Sequence, residues 1–491
     1  MAVLTSSAVA SRRRQALLLV LAAALSAFTI LRDYGPHDEG LMLQWAGRIA
    51  SGQWPYRDFW SNYAPGQPVL LAGLVKVFGP SLLWWRVLRV AIDAVTAVLA
   101  YRLVRRDAPE GWALAAWLAV AGAMAFPTGP GPNPTAVLLA FAALALARRS
   151  PGPGGALAGL AVLVRPEIGI AAAIGVALEA GRGGMLRALA PAVAVAVAGL
   201  APFALVAGGD MADQTIGFLG SQDLQRLPFP LHAHGLDPNK LLEFYLPLIL
   251  LVGVALWALA LAVRRPGRRD LALVPLVVLG VAYLLARTDE FHLIPLSAAL
   301  AVGLAIAGAR TENVVLRGAL ALALGLIALH GVERRAGQLV HPPAQAAVPA
   351  PAADGVRTSR ADAAALVRLI PAVQRRTPHG EPVLVAPPRF DRVRVGDPML
   401  YVLLGRPNPT RYDVMQPGLV TTARVQREMV GDLKRTRAPV VVRWVAGAAR
   451  EVEPNGSGRS SGVTLLDRFI TRNYRRVARY GDYVLLYRAV R

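Results

Sequence analysis

Cysteine is absent from all 491 residues, which excludes disulfide bridges, thiolate nucleophiles and Cys-ligated metals. Charge is scarce as well: 17% of the residues are Asp, Glu, Lys or Arg, against roughly a quarter in a soluble domain. Acids are the scarcer sign, 31 against 53 basic residues, for a net charge of +22. In a soluble chain that excess points to nucleic acid. Here the arginines cluster between apolar runs, the pattern of membrane topology, and no nucleic-acid partner is expected. With 55% hydrophobic residues and a mean hydropathy of +0.43, the composition is that of a polytopic α-helical membrane protein.

A spanning helix needs about twenty mostly apolar residues. Candidate spans are 15–31, 82–103, 111–126, 134–148, 154–164, 168–181, 187–207, 241–263, 271–286, 292–308 and 314–331, about eleven transmembrane helices in all. The basic start and apolar middle of 11–31 also fit a signal peptide. The many spans that follow favour a retained first helix. The short spans 154–164 and 168–181, split by Arg165–Pro166–Glu167, read as a hairpin whose tip lines a cavity. Basic loops ("SRRR" at 11–14, "RLVRRD" at 102–107, "ARRS" at 147–150, "RRPGRRD" at 264–270) alternate with loops of balanced charge. The N-terminus is therefore expected in the cytoplasm and the C-terminus outside.

On this reading residues 1–334 form the membrane domain, with 32–81 as its first outer loop. Within that loop, Leu41, Trp45 and Ile49 have helical spacing and suit an amphipathic helix on the membrane surface. "PGQPVLLAGLVKVFG" (65–79) reads as a second interfacial helix. Residues 335–357 form a linker, and its Pro/Ala-rich part (341–355) is expected to be extended and poorly ordered. Residues 358–491 alternate helices (360–376, 421–436, 463–474) with strands (382–387, 439–445). They close on a hairpin turning at Gly481–Asp482, as in an extracytoplasmic α/β domain.

The chemistry-bearing residues all fall in outer loops. Asp38 and Glu39 are candidates for acid/base work, although an acid at that place also suits the start of a helix. Arg165 is costly in lipid unless it faces a cavity or pairs with Glu167. Arg287, Asp289 and His292 form a third cluster, fit either for an anionic group or for a water-exposed loop. The aromatics of "YRDFWSNYAPG" (56–66), Tyr63 among them, suit a membrane-interface belt or stacking on a sugar. Carboxylates that accept a proton and guanidiniums that hold an anion, on one side of a membrane, suit group transfer from a lipid-linked phosphate.

The block "PHDEGLMLQWAGRIASGQWPYRDFWSNYAPGQPVLLAGLVKVFGPSLLWWRVLR" resembles the first outer loop of GT-C glycosyltransferases. The similar branch holds the protein O-mannosyltransferases and the aminoarabinose transferases. The resemblance rests on the acid pair Asp38–Glu39, the Pro65–Gly66 element and the entry from Gly79 to Arg86. Arg165 at a hairpin tip and the Arg287–Asp289–His292 element match more loosely. Ala64 stands where the family's Lys–Pro–Pro element carries its Lys.

The resemblance implies a GT-C-like fold and inverting transfer of one sugar from a polyprenyl-phosphate donor to a lipid, glycan or protein acceptor. Asp38 would be the general base, and Arg165, Arg287 and His292 would bind the leaving phosphate. No cofactor is implied, and the adjacency of the acids argues against an obligatory metal. The setting would be the cell envelope at a bacterial inner membrane. The other reading is a transporter or flippase of a polyprenyl-linked or polysaccharide lipid. It expects paired halves with matching interrupted helices, which the sequence does not display.

Overall fold

The computed structural model describes residues 2–124, 129, 131–224, 226–227, 241–340, 344–453 and 455–489. Parts of the 111–126 span, the 208–240 loop and the Pro/Ala-rich linker lie outside the described residues. In chain order the first helices are α1 (Ala2–Ala27), α2 (Asp38–Ala50), α3 (Gly66–Phe78), α4 (Leu82–Arg105), α5 (Glu110–Met124), α6 (Pro132–Leu146), α7 (Pro151–Val164) and α8 (Pro166–Ala180). There follow α9 (Met185–Ala207), α10 (Gly209–Thr215), α11 (Leu241–Val263), α12 (Arg268–Ala286), α13 (Glu290–Arg310) and α14 (Val314–Val340). Among the described residues five stretches are long and apolar enough to cross a membrane: Met185–Ala207, Tyr245–Val263, Arg268–Ala286, Phe291–Arg310 and Val314–Glu333. The protein is thus a multi-pass membrane protein. Other apolar helices, among them α5, α6 and α7, are shorter.

The chain forms two compact units. One comprises Met1–Ile30, Arg86–Leu200 and Pro228–Pro342, and the other Leu31–Trp85, Ala201–Leu227 and Pro343–Arg491. In the first unit α7 and α8 form the expected hairpin. A residue before proline is driven out of the helical region, and Arg165 accordingly has φ −144° and ψ 100° while Pro166 opens α8. The two arms pack closely: a Cβ on Gly169 would lie 2.2 Å from the Val162 nitrogen. Small residues permit such approach where the hydrophobic effect cannot drive helices together.

At the ends of α8, α12 and α13 remote from that tip lies a buried ion network. Glu179 and Arg269, both fully buried, pair at 3.1 Å. Asp270 holds Arg264 at 2.8 Å and Arg310 at 3.1 Å, and Arg310 reaches Asp107 at 2.7 Å. Arg269 and Asp270, read from sequence as part of an open basic loop, are therefore interior groups. Their charges are tolerated because each faces an opposite one.

In the second unit the C-terminal segment contains α15 (Arg360–Gln374), α16 (Met399–Leu404), α17 (Ala423–Thr436), the single turn α18 (Gly447–Arg450) and α19 (Leu465–Asn473). Its strands are β1 (Gln345–Ala347), β2 (Arg357–Ser359), β3 (Val383–Ala386), β4 (Val440–Trp444), β5 (Tyr474–Tyr480) and β6 (Tyr483–Arg488). A mixed sheet runs β3-β4-β6-β5, with β3 and β4 parallel and the other pairs antiparallel. The helices, strands and closing hairpin expected there all form, within a few residues at their ends. The Pro/Ala-rich stretch is more ordered than its composition suggests. β1 pairs with β2, and Ala350, Ala352 and Ala353 are buried between them.

Asp397, buried just before α16, accepts from the Tyr483 hydroxyl at 3.1 Å and the Leu400 amide at 3.2 Å. Burial pushes its carboxyl up to about 7, with the Asp362 charge adding to the rise, against the two hydrogen bonds. An unfolded chain releases this proton near 4. The folded state therefore holds a proton the unfolded state has lost, and stability falls as pH rises from about 4 through about 7. Asp397→Asn is expected to flatten that slope, raising the melting temperature more at pH 8 than at pH 5. A melting profile as steep as the parent's in that window would remove Asp397 as its source.

Candidate functional site

The acid pair opens α2, and the two carboxylates have different fates. Asp38 is exposed and, among the described residues, has no ion pair or hydrogen bond. Glu39 is buried, and its carboxylate accepts from the Gly35 amide at 2.8 Å, closing the turn that leads into the helix. Both sit in the first turn, where a negative charge meets the positive helix end. The pair thus supplies one structural acid and one available acid.

α2 does not lie on a surface as an amphipathic helix. All residues from Glu39 to Ala46 are buried. α3 and α16 pack against it, and residues 410 and 413 bond to its side chains. Gln44 donates to Asp413 at 3.3 Å, and Arg48 pairs with the same carboxylate at 2.9 Å. These partners are more than 360 positions away in sequence, so helical periodicity carries no sign of them. The aromatics expected in an interface belt are also interior. Tyr56, Phe59 and Trp60 are buried, and Trp45 packs between Phe59 and Tyr63 with ring centroids 6.0 and 5.9 Å away. Tyr63 remains half-exposed.

Gly40 fixes how deeply α2 seats. A Cβ there would lie 2.2 Å from the Met399 nitrogen and 2.6 Å from its Cα, and the Met399 amide donates to the Pro36 carbonyl at 3.1 Å. Backbone cannot yield as a side chain can, and overpacking costs about 1–3 kcal/mol or more. Gly40→Ala is expected to lower the melting temperature by several degrees, and to lower activity by displacing the segment that carries Asp38. An unchanged melt would mean that α2 can retreat freely from α16.

The first unit gathers the basic candidates. Arg165, at the hairpin tip, donates to the Tyr283 hydroxyl at 2.8 Å and pairs with Glu167 at 3.1 Å. The Tyr283 hydroxyl also meets the Glu167 carboxylate, and the Arg165 guanidinium lies 5.4 Å from the Tyr283 ring centre. His292 sets its ring edge-to-face on Tyr283 at 5.6 Å and turns Nδ1 to the Asp289 carboxylate. Asp289 caps α13 by accepting from the His292 amide at 3.1 Å and pairs with Arg287 at 2.6 Å.

Burial alone would raise the Asp289 carboxyl. The His292 hydrogen bond and the charges of His292 and Arg287 outweigh it and hold the group down at about 2. Asn133, in the first turn of α6, donates to the Phe291 carbonyl at 2.7 Å. The starts of α6, α8 and α13 therefore belong to this cluster, and their positive ends favour an anion.

The structure thus joins Arg165, Arg287, Asp289 and His292, while Asp38, Glu39 and Tyr63 belong to the second unit. Of the two sequence readings of Arg165, the pairing with Glu167 is observed, and the same guanidinium also reaches Tyr283. The residue that links the cluster, Tyr283, escaped the sequence reading. Its only signal was a hydroxyl four positions before Arg287, near the end of an otherwise apolar helix. Two guanidiniums, an imidazole and a phenol are well suited to hold phosphate oxygens, and Glu167 and Asp289 balance the two guanidiniums.

No protein-family model and no curated protein sequence matches the chain. Among solved structures it is similar to ArnT from Cupriavidus metallidurans bound to undecaprenyl phosphate, with 15% identity and a TM-score of 0.58. That match covers 96% of this chain and 97% of ArnT. It is also similar to the oligosaccharyltransferase AglB from Archaeoglobus fulgidus in complex with an inhibitory peptide and a dolichol-phosphate. Here the identity is 14% and the TM-score 0.52, over 89% of this chain and 70% of AglB. The chain has the GT-C fold that ArnT and AglB share.

Proposed function

We propose that the protein is a membrane glycosyltransferase that moves one sugar from a polyprenyl-phosphate donor to an acceptor hydroxyl outside the cytoplasm. Asp38 takes the hydroxyl proton as the oxygen attacks the anomeric carbon. The bond from that carbon to the phosphate oxygen breaks, and the polyprenyl phosphate departs with the bonding electrons. Single displacement inverts the anomeric centre. Negative charge grows on the leaving phosphate, where fixed donors act most strongly. Arg165, Tyr283, Arg287 and His292 are those donors, and Asp289 orients Arg287 and His292. Glu39 holds the turn that presents Asp38, and Tyr63 offers a ring face to the sugar.

The observation that carries this reading is the convergence of Arg165, Arg287, Asp289 and His292 around Tyr283. Likeness to two proteins whose structures hold a polyprenyl-type phosphate supports it. About eleven crossings of a bacterial inner membrane, an inward N-terminus and an outward C-terminal segment complete the proposal. The test supplies purified protein with a labelled polyprenyl-phosphate sugar and cell-envelope acceptors. Sugar transfer matched by release of polyprenyl phosphate is expected. Movement of the lipid across vesicles without acceptor, and no transfer, would replace this reading with transport.

A further inference from the structure

Positive charge is not confined to the loops between spans. Residues 343–491 hold 25 of the 53 basic residues but only 12 of the 31 acids, a net of +13 out of +22. Much of that acid is already committed. Asp391 pairs with Arg389, Glu451 and Glu453 with Arg394, Asp467 with Arg443, Asp432 with Arg435, and Glu428 with Arg424. Arg368, Arg375 and Arg376 on and just after α15 are exposed, as are Arg475, Arg476 and Arg479 on β5. Among the described residues none of these six has a carboxylate partner.

Several of the six form a track. α15 packs against β5 and β6. The Arg368 guanidinium lies 5.2 Å from the Tyr480 ring centre, and that of Arg376 lies 4.6 Å from the Tyr487 ring centre. Arg475 stands directly opposite Tyr487 in the β5–β6 register. Arg375, the helical C-cap of α15, comes seven residues after Arg368, about 10 Å along the axis and on the same face. Contact with the rings limits the freedom these guanidiniums would lose on binding.

Charges on an edge strand can serve merely to prevent strand addition. That accounts for the arginines of β5 and leaves those of α15 unexplained. A patch that inserts into a membrane surface carries Trp, Phe or Leu beside its charges. Here the exposed large apolar residues among the described part of 343–491 are Val367, Val452 and Val477. Single-stranded nucleic acid needs free aromatic faces on which bases stack. On this track guanidiniums already cover Tyr480 and Tyr487.

We propose that the Arg368–Arg375–Arg376–Arg475 track binds an acidic polysaccharide and presents it as the acceptor of the transfer. Binding follows from the track itself; the acceptor role rests on the glycosyltransferase reading. The test measures binding of end-labelled polygalacturonate to the purified full-length chain, with no donor present and dextran as the neutral control. Four contacts of this kind should weaken binding roughly 50- to 150-fold between 50 and 200 mM salt, by analogy with counterion release from nucleic-acid phosphates.

The combined variant Arg368→Gln, Arg375→Gln, Arg376→Gln, Arg475→Gln is expected to lose about tenfold or more at low salt. Arg424→Gln with Arg435→Gln, which removes two paired arginines, should bind as the parent does. Equal binding of dextran, parental affinity in the fourfold variant, or preference for single-stranded nucleic acid would overturn the proposal. So would burial of the patch in nanodiscs containing phosphatidylglycerol, with no competition from the polysaccharide. Binding without sugar transfer would leave the track standing and remove only the acceptor role.

Discussion

Asp38→Asn is expected to lower kcat for sugar transfer by about 10²–10⁴-fold, the usual contribution of a positioned general base, with little change in KM for the donor. The amide keeps the shape of the side chain and loses the ability to take a proton. Stability should hardly respond. Asp38 is exposed and without a partner among the described residues, and only a few tenths of a kcal/mol to about 1 kcal/mol of helix-end electrostatics is removed. Glu39→Gln makes the informative contrast. That carboxylate is buried and accepts from the Gly35 amide, so its loss should appear first in the melting temperature. If Asp38→Asn retained parental kcat while Glu39→Gln lost it at unchanged stability, the base would have to be reassigned to Glu39.

The same two residues show what a sequence can and cannot reveal. Their adjacency at the start of a helix was visible, because an acid there has a local physical reason. Which of them was available was not visible, because Glu39 is fixed by the fold of the turn and by the packing of α2. The hairpin tip was legible for a similar reason: a proline constrains the residue before it whatever surrounds them.

Tyr283 gave no comparable signal. A tyrosine near the end of an apolar helix suits an interface belt equally well, and only the approach of α8 and α13 makes it a shared partner of Arg165, Glu167 and His292. The burial of α2 is of the same kind. Leu41 and Trp45 indicate a helix, but α16 and Asp413, which enclose it, come from the far end of the chain. Glu179–Arg269 adds a further lesson: charges that read as loop markers can form a buried pair when helix ends converge.

Arg165→Gln should lower kcat by about 10²–10³-fold, the range seen when one donor to a developing anion is removed. The donor's ground state already carries a charged phosphate, so KM should rise as well, but by less. The extra charge appears only as the sugar bond breaks, and under the proposed function that increment is what Arg165 would meet. Arg165→Lys should recover only part of the loss, since an ammonium keeps the charge but not the planar fork that can hold Tyr283 and an oxygen anion together. Glu167 provides a second readout of opposite sign. It pairs with the Arg165 guanidinium at 3.1 Å, so a phosphate must share or displace that contact. Glu167→Gln should therefore tighten binding of free polyprenyl phosphate and strengthen product inhibition. A merely structural Glu167 would weaken both when changed. Parental kcat in Arg165→Gln, or looser polyprenyl phosphate binding in Glu167→Gln, would take the leaving group away from the hairpin tip.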